Sequence, residues 1–188
     1  MSFLTSQTRL RVALVAAAVL TCTNVQAQQK TTDKDVDAGV KISTQATGKE
    51  VGLPLYPGSK PHRDDKDDSP AANLGLWGNS FGFKLVVLKM ETKDAPEKVA
   101  AFYQRALTKY GKVLDCSRGS AARNEKPESK SASALTCDTD DSDKGGQVFK
   151  AGTKHRQHIV GIQPKSSGSV FQLVYVETRG VDGDSTPQ

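Results

Sequence analysis

The sequence predicts an α+β domain: a single, mostly antiparallel sheet of about five to six strands with one helix packed across a face. Three observations carry this expectation. One segment, over 96–110, repeats apolar residues at three- and four-residue spacing, the period of a helix with one buried stripe. The apolar runs around it are strand-like and joined by loops too short for the crossover helices that a parallel sheet requires. No repeat of fixed period appears, and an ordered length of about 130 residues suits one domain.

Taken in order, the chain opens with Arg9 and Arg11, an uncharged apolar run from Val12 to Leu20, and Val25-Gln26-Ala27, whose small residues suit signal peptidase. Residues 1–27 therefore read as a cleavable signal peptide, since nine apolar residues fall far short of the roughly 20 a spanning helix needs. A second processing route would use Cys22 as the lipid-modified first residue of a lipoprotein, against an unfavourable Thr21. The expected location is periplasmic or secreted, the Cys22 route instead giving an anchored lipoprotein, and no later segment is long and apolar enough to act as a transmembrane helix. Residues 28–48 are polar and aperiodic and read as a flexible tether.

The domain is expected over 49–179. Val51, Leu53, Leu55 and Tyr56, set between prolines and ending at Pro57-Gly58, suggest an extended lead-in laid against the core. The acidic run Asp64 to Asp68 reads as a solvated loop. Asn73–Trp77 and Phe81–Glu91 read as strands joined at Gly78-Asn79-Ser80. In the second, Phe83, Leu85 and Val87 share one face and Val86, Leu88 and Met90 the other, so both faces want to leave water. Asp94-Ala95-Pro96-Glu97 predicts a helix start with Asp94 as N-cap and Glu97 completing a capping box. The buried stripe is then Val99, Phe102, Tyr103, Ala106, Leu107 and Tyr110, and Gly111 stops the helix in the left-handed region. Further strands are expected at 112–117, 133–138, 147–150, 155–163 and 170–178, and residues 180–188 form a disordered tail.

Cleavage would leave two cysteines, Cys116 and Cys137, and an exported chain meets oxidising conditions, so a disulfide between them is expected. They lie 21 positions apart, unlike the Cys-x-x-Cys of a redox site, and were each expected on a strand of a long hairpin.

Tyr56-Pro57-Gly58, the helix sequence Ala101-Phe102-Tyr103-Gln104-Arg105-Ala106-Leu107, Gly111 and a closing apolar strand resemble a widespread group of uncharacterised exported bacterial proteins with a YPG…FYR..L...G pattern. The resemblance spans most of residues 51–178. It implies a small envelope domain and brings no catalytic residues with it.

Composition narrows the function classes. Basic residues number 26 and acidic ones 21, for a formal charge of +5; loss of Arg9 and Arg11 with the signal peptide lowers it to +3. The signs are interleaved, with no Lys/Arg stripe and no interleaved aromatics, so nucleic acid is not an expected partner. Asp138 to Gly145 resembles a calcium loop but places Asp143 where Gly and Phe149 where Glu should stand. His155 and His158 lack a third ligand nearby, so no metal and no cofactor is expected. Lys150, Lys154 and Arg156 beside these histidines form a basic cluster that reads as a solvated strand end. No nucleophile sits beside a base, so no catalytic residue and no enzyme activity is expected.

The feature that points to binding is an apolar face of Val86, Leu88, Met90, Val174 and Val176, expected opposite the helix. Either the lead-in folds over it or it meets a protein partner or an apolar ligand. The leading reading is a non-enzymatic envelope protein acting by binding or as an accessory. A small lipid carrier with a groove between helix and sheet comes second. A cystatin-like inhibitor comes third, on architecture alone and without the Gln-x-Val-x-Gly loop.

Overall fold

In the computed structural model of the protein, residues 38–120, 134–137 and 146–180 are described. The expected signal peptide, the start of the expected tether, the loop at 121–133, the acidic turn from Asp138 and the tail from residue 181 lie outside the described residues. Eight strands occur among those described: β1 (Gly39–Ser43), β2 (Lys60–Pro61), β3 (Ala71–Trp77), β4 (Gly82–Thr92), β5 (Leu114–Asp115), β6 (Gln147–Thr153), β7 (Arg156–Lys165) and β8 (Gly168–Arg179). Two helices accompany them, α1 (Gly48–Val51) and α2 (Pro96–Leu107), the second running into a 3₁₀ turn at 108–110.

All strand pairs are antiparallel, in the order β1-β3-β4-β8-β7-β6-β5, with β2 alongside β4 where β3 has ended. The α+β class is as expected, but the sheet has eight strands rather than five to six. One additional strand, β2, is only two residues long, too short for any periodicity to register, whereas β5 falls within the strand expected at 112–117. The other is β1, which lies in the segment read as a tether: Val40 and Ile42 pair with Leu76 and Leu74 and extend the sheet past β3.

α1 begins at a complete capping box. The Thr47 side chain accepts from the Glu50 amide, and the Glu50 carboxylate accepts from the Thr47 amide at 2.9 Å. Gly52 ends it with φ 78, a left-handed conformation that glycine adopts without steric cost. At α2 the expected cap is displaced by one residue: the N-cap is Ala95 and makes no side-chain bond. The Asp94 carboxylate instead accepts from the Tyr56 hydroxyl at 2.9 Å and from Lys98 at 3.2 Å. Gly111, at φ 121 and ψ −156, has a positive φ but is not in the left-handed helical region expected of it.

One hydrophobic core lies between the sheet and the two helices. The register stacks Met90, Phe171 and Ile162 in one cross-strand row and Leu88, Leu173, Val160 and Phe149 in the next. Onto these rows α2 sets Val99, Tyr103 and Leu107, all fully buried, and the lead-in adds Val51 and Leu53. Full burial of a side chain such as Leu53 contributes roughly 2 kcal/mol. Tyr56 and Phe102 meet edge-on at 5.2 Å and Tyr103 and Phe171 lie 5.5 Å apart, so the aromatic residues of the YPG and FYR segments form one packed cluster.

Cys116 and Cys137 are joined in a disulfide with their Cα atoms 5.3 Å apart. They do not staple two paired strands. Cys116 follows β5, whose partner is β6, and residues 134–137 form no strand.

Candidate functional site

Residues directly opposite across antiparallel strands project to the same side of the sheet. Val86 pairs with Tyr175, Leu88 with Leu173 and Met90 with Phe171, which puts all three beneath the helices at 0, 6 and 5% exposure. Val174 and Val176 pair with Val87 and Leu85 and therefore lie on the opposite side. The five residues expected to form one binding face are thus divided between two. Val51 and Leu53 do cover Val86, Leu88 and Met90, together with α2, whereas Leu55 is half exposed.

The opposite face is apolar as well. Leu74, Leu85, Val87, Ile159, Val174 and Val176 are half-buried there, and the apolar surface runs out to Val40 and Ile42 on β1, which is at the sheet's edge. Where a carrier groove between helix and sheet was expected, Val99, Tyr103 and Leu107 are fully buried.

An open concavity of about 300 Å³ occurs elsewhere on the helix-bearing face, beyond the reach of α2 and beside α1. Its floor is two cross-strand rows. One runs Lys41, Gly75, Lys84, Glu177 and the other Gly39, Trp77, Gly82, Arg179. Asn73 and Glu50 close the end next to the core. The Trp77 ring lies over Gly39, where any Cβ would collide with the indole.

Both carboxylates of this pocket are fully engaged. Glu50 Oε1 accepts from buried Asn73 Nδ2 at 2.9 Å, and Oε2 accepts from the Thr47 amide and hydroxyl. Glu177 Oε1 accepts from Arg156 at 2.9 Å and Oε2 from the Tyr175 hydroxyl at 2.6 Å. These two bonds, that of Tyr175 first, hold the Glu177 carboxyl below its ordinary value. Burial, then the bond to Glu177, pushes the Tyr175 phenol up to about 12. The cations are not so held. Lys84 Nζ sits 5.4 Å over the Tyr175 ring, and Lys41 and Arg179 make no ion pair among the described residues. The arrangement offers positive charge, an indole face and a side-chain-free floor, but no nucleophile or free base among its described lining residues.

Other sequence-level candidates resolve into structural roles. Lys89 bridges Asp64 at 2.5 Å and Asp68 at 2.8 Å, which ties the two ends of the acidic loop to β4. In the basic cluster Lys154 and Arg156 are exposed, Arg156 being paired with Glu177, whereas Lys150 is buried. His155 precedes β7 and meets Thr178, while His158 is buried on the helix side, its Nδ1–H donating to the Val51 carbonyl at 3.0 Å. No group of three or more potential metal ligands occurs among the described residues. Among them no helix is long and apolar enough to cross a membrane. The calcium-like turn from Asp138 lies outside the described residues.

No family model, curated protein or solved structure matches the chain.

The sequence reading missed the pocket because one edge of it, Gly39 and Lys41 on β1, comes from the supposed tether. Thr47-Gly48-Lys49-Glu50 was a readable signal, since Thr followed by Glu at the third position is a capping box. Lys84 among the apolar residues of β4, and Glu177 and Arg179 at the end of β8, marked where the inner face turns polar.

Proposed function

We propose that this chain is an exported, non-enzymatic binding protein of the bacterial envelope and that its ligand seat is the pocket between α1 and the ends of β3, β4 and β8. The observation that carries this reading is the pocket itself: a concavity floored by glycines and lined by the sole tryptophan and by Lys41, Lys84 and Arg179, which form no salt bridge among the described residues. Binding is favoured over catalysis because both carboxylates are tied to fixed donors and are not poised to exchange protons. The disulfide supports an oxidising compartment, and the N-terminal pattern supports export after removal of residues 1–27. The YPG…FYR..L...G resemblance points the same way.

A second reading, a protein partner, draws on the opposite apolar face and its extension to exposed Val40 and Ile42. Native mass spectrometry of the protein purified from its own compartment separates the two. The expected species is residues 28–188 less two hydrogens, carrying a small adduct that is lost on denaturation and in Trp77→Ala. A polypeptide partner retained equally by Trp77→Ala would overturn the pocket reading.

A further inference from the structure

The pocket reading can be taken further, to the chemistry of the occupant; the argument rests on that reading. We infer that the site takes an organic anion: a carboxylate, sulfonate or phosphate on a flat apolar body that lies over Gly75 and Gly82 against Trp77.

The anionic group follows from which charges are already satisfied. All four oxygens of Glu50 and Glu177 already accept from fixed donors, Glu177 from cationic Arg156, so cations outnumber the less engaged carboxylate sites in the hollow. Lys41, Lys84 and Arg179 converge on the same hollow and form no salt bridge among the described residues, although the Lys84 charge acts on Glu177 across the strand pair. Strand register spaces them around it: Lys41 and Lys84 are both opposite Gly75, and Arg179 is opposite Gly82. A bound anion would satisfy three donors and relieve their mutual repulsion.

The flat body follows from the glycines. Glycine in a strand interior weakens the sheet, and it is kept where the backbone needs a positive φ, where a neighbour crowds the Cα, or where a ligand approaches. Gly75 and Gly82 do not have positive φ. A Cβ on Gly75 would meet nothing closer than 3.6 Å, at the Trp77 ring, and one on Gly82 nothing closer than 3.6 Å, at Arg179. Neither the backbone nor the packing requires these two glycines, and together they leave a smooth strip of floor next to an indole that is 42% exposed. A planar ring or short chain stacked on Trp77 would cover that strip.

The test uses the mature protein and four probes: 2-naphthoate, the neutral 2-naphthalenemethanol, the cationic 2-naphthylmethylammonium, and inorganic phosphate. Calorimetry gives affinity, and the single indole N–H cross-peak of Trp77 in a ¹⁵N correlation spectrum reports location, because the chain has one tryptophan. The expected result is that 2-naphthoate shifts the Trp77 signal and binds about tenfold or more tightly than either the neutral or cationic ring or phosphate alone. Lys84→Gln and Arg179→Gln should each weaken naphthoate by about tenfold. Gly75→Val, which inserts bulk on the floor, should abolish binding while keeping or raising the melting temperature, and that combination distinguishes a ligand role from a structural one. If the neutral or cationic ring binds as tightly as naphthoate, the anion inference is overturned and the pocket reading stands. If phosphate binds as tightly as naphthoate, the flat body is overturned. If no probe moves the Trp77 signal, this inference falls; the adduct experiment above then decides the pocket reading separately.

Discussion

Lowering the pH from 7.5 to 5 should remove about 2 kcal/mol of folding stability through His158 alone. The imidazole is 4% exposed, its Nδ1–H donates to the Val51 carbonyl, and its ring stacks on Tyr110 at 3.5 Å with Tyr175 at 4.8 Å. Burial holds its pKa down to about 4, with Lys109 and Arg156 adding to the effect and the bond to Val51 opposing it. In the unfolded chain the ring protonates near its ordinary value of 6.5. Between 6.5 and 4 the unfolded state therefore binds more protons than the folded state, so stability falls as pH falls. The contribution is complete above 6.5 and fully lost below 4. At about 1.4 kcal/mol per pH unit, the loss reaches about 2 kcal/mol at pH 5 and about 3 kcal/mol below pH 4.

Urea unfolding followed by far-ultraviolet circular dichroism at pH 7.5, 6.5, 5.5 and 5 measures this. His158→Gln should start less stable at pH 7.5, having lost its stacking on two tyrosines, but should stay flat down to pH 5. His62 and His155 remain in that variant, so a slope that survives the substitution would assign the effect to them or to carboxylates and refute the role given to His158.

Four further outcomes follow from the same geometry. Replacing Cys116 and Cys137 together by Ala should cost about 3 kcal/mol by chemical denaturation, and dithiothreitol should destabilise the native chain while leaving the double variant unchanged. Thr47→Ala should cost about 1 kcal/mol by removing the α1 cap, with Thr47→Ser restoring most of it; no change in melting temperature would mean the capping box is dispensable. The Tyr103 hydroxyl is buried beside the Tyr56 backbone without forming a hydrogen bond, so Tyr103→Phe should be neutral or stabilising by up to about 1 kcal/mol, and a clear loss would reveal a hidden partner. Glu91, held down to about 2 by Lys165, then Lys60 and His62, contributes stability that is complete above 4.5 and lost as pH falls toward 2; Glu91→Gln should abolish that second acid step in the denaturation profile.

What could be read from the sequence followed local periodicity, and what could not depended on register. The stripe of α2, the turn at Gly78 and the long strands β4 and β8 each carry their own pattern within a dozen residues. Alternation in β8 separates Phe171, Leu173 and Tyr175 from Val170, Val174 and Val176 without saying which set joins Met90. That choice is set by the pairing of Met90 with Phe171, and a shift of one residue would reverse it. Val174 and Val176 were therefore grouped with Val86, Leu88 and Met90, which lie on the other, helix-bearing side. β1 escaped notice because Lys41 and its polar flanks interrupt a five-residue strand whose two apolar residues remain largely exposed even after pairing. It is stabilised by its neighbour in the sheet more than by anything in its own sequence.

The location of the pocket follows from a mismatch of lengths. β8 has 12 residues and extends about 40 Å, whereas α2, also 12 residues, extends only about 18 Å. One helix of that size cannot cover the inner face of such strands, and the one-turn α1 covers only a little more. The uncovered ends must then carry side chains that tolerate water. Along the inner face of β4, Met90, Leu88 and Val86 give way to Lys84 and then Gly82; along β8, Phe171 and Leu173 give way to Tyr175, Glu177 and Arg179. Solvation alone would be met by any polar residues there. It does not call for two glycines at diagonal positions on neighbouring strands or for an exposed indole, and those departures from the least costly surface are what the proposed ligand seat would explain.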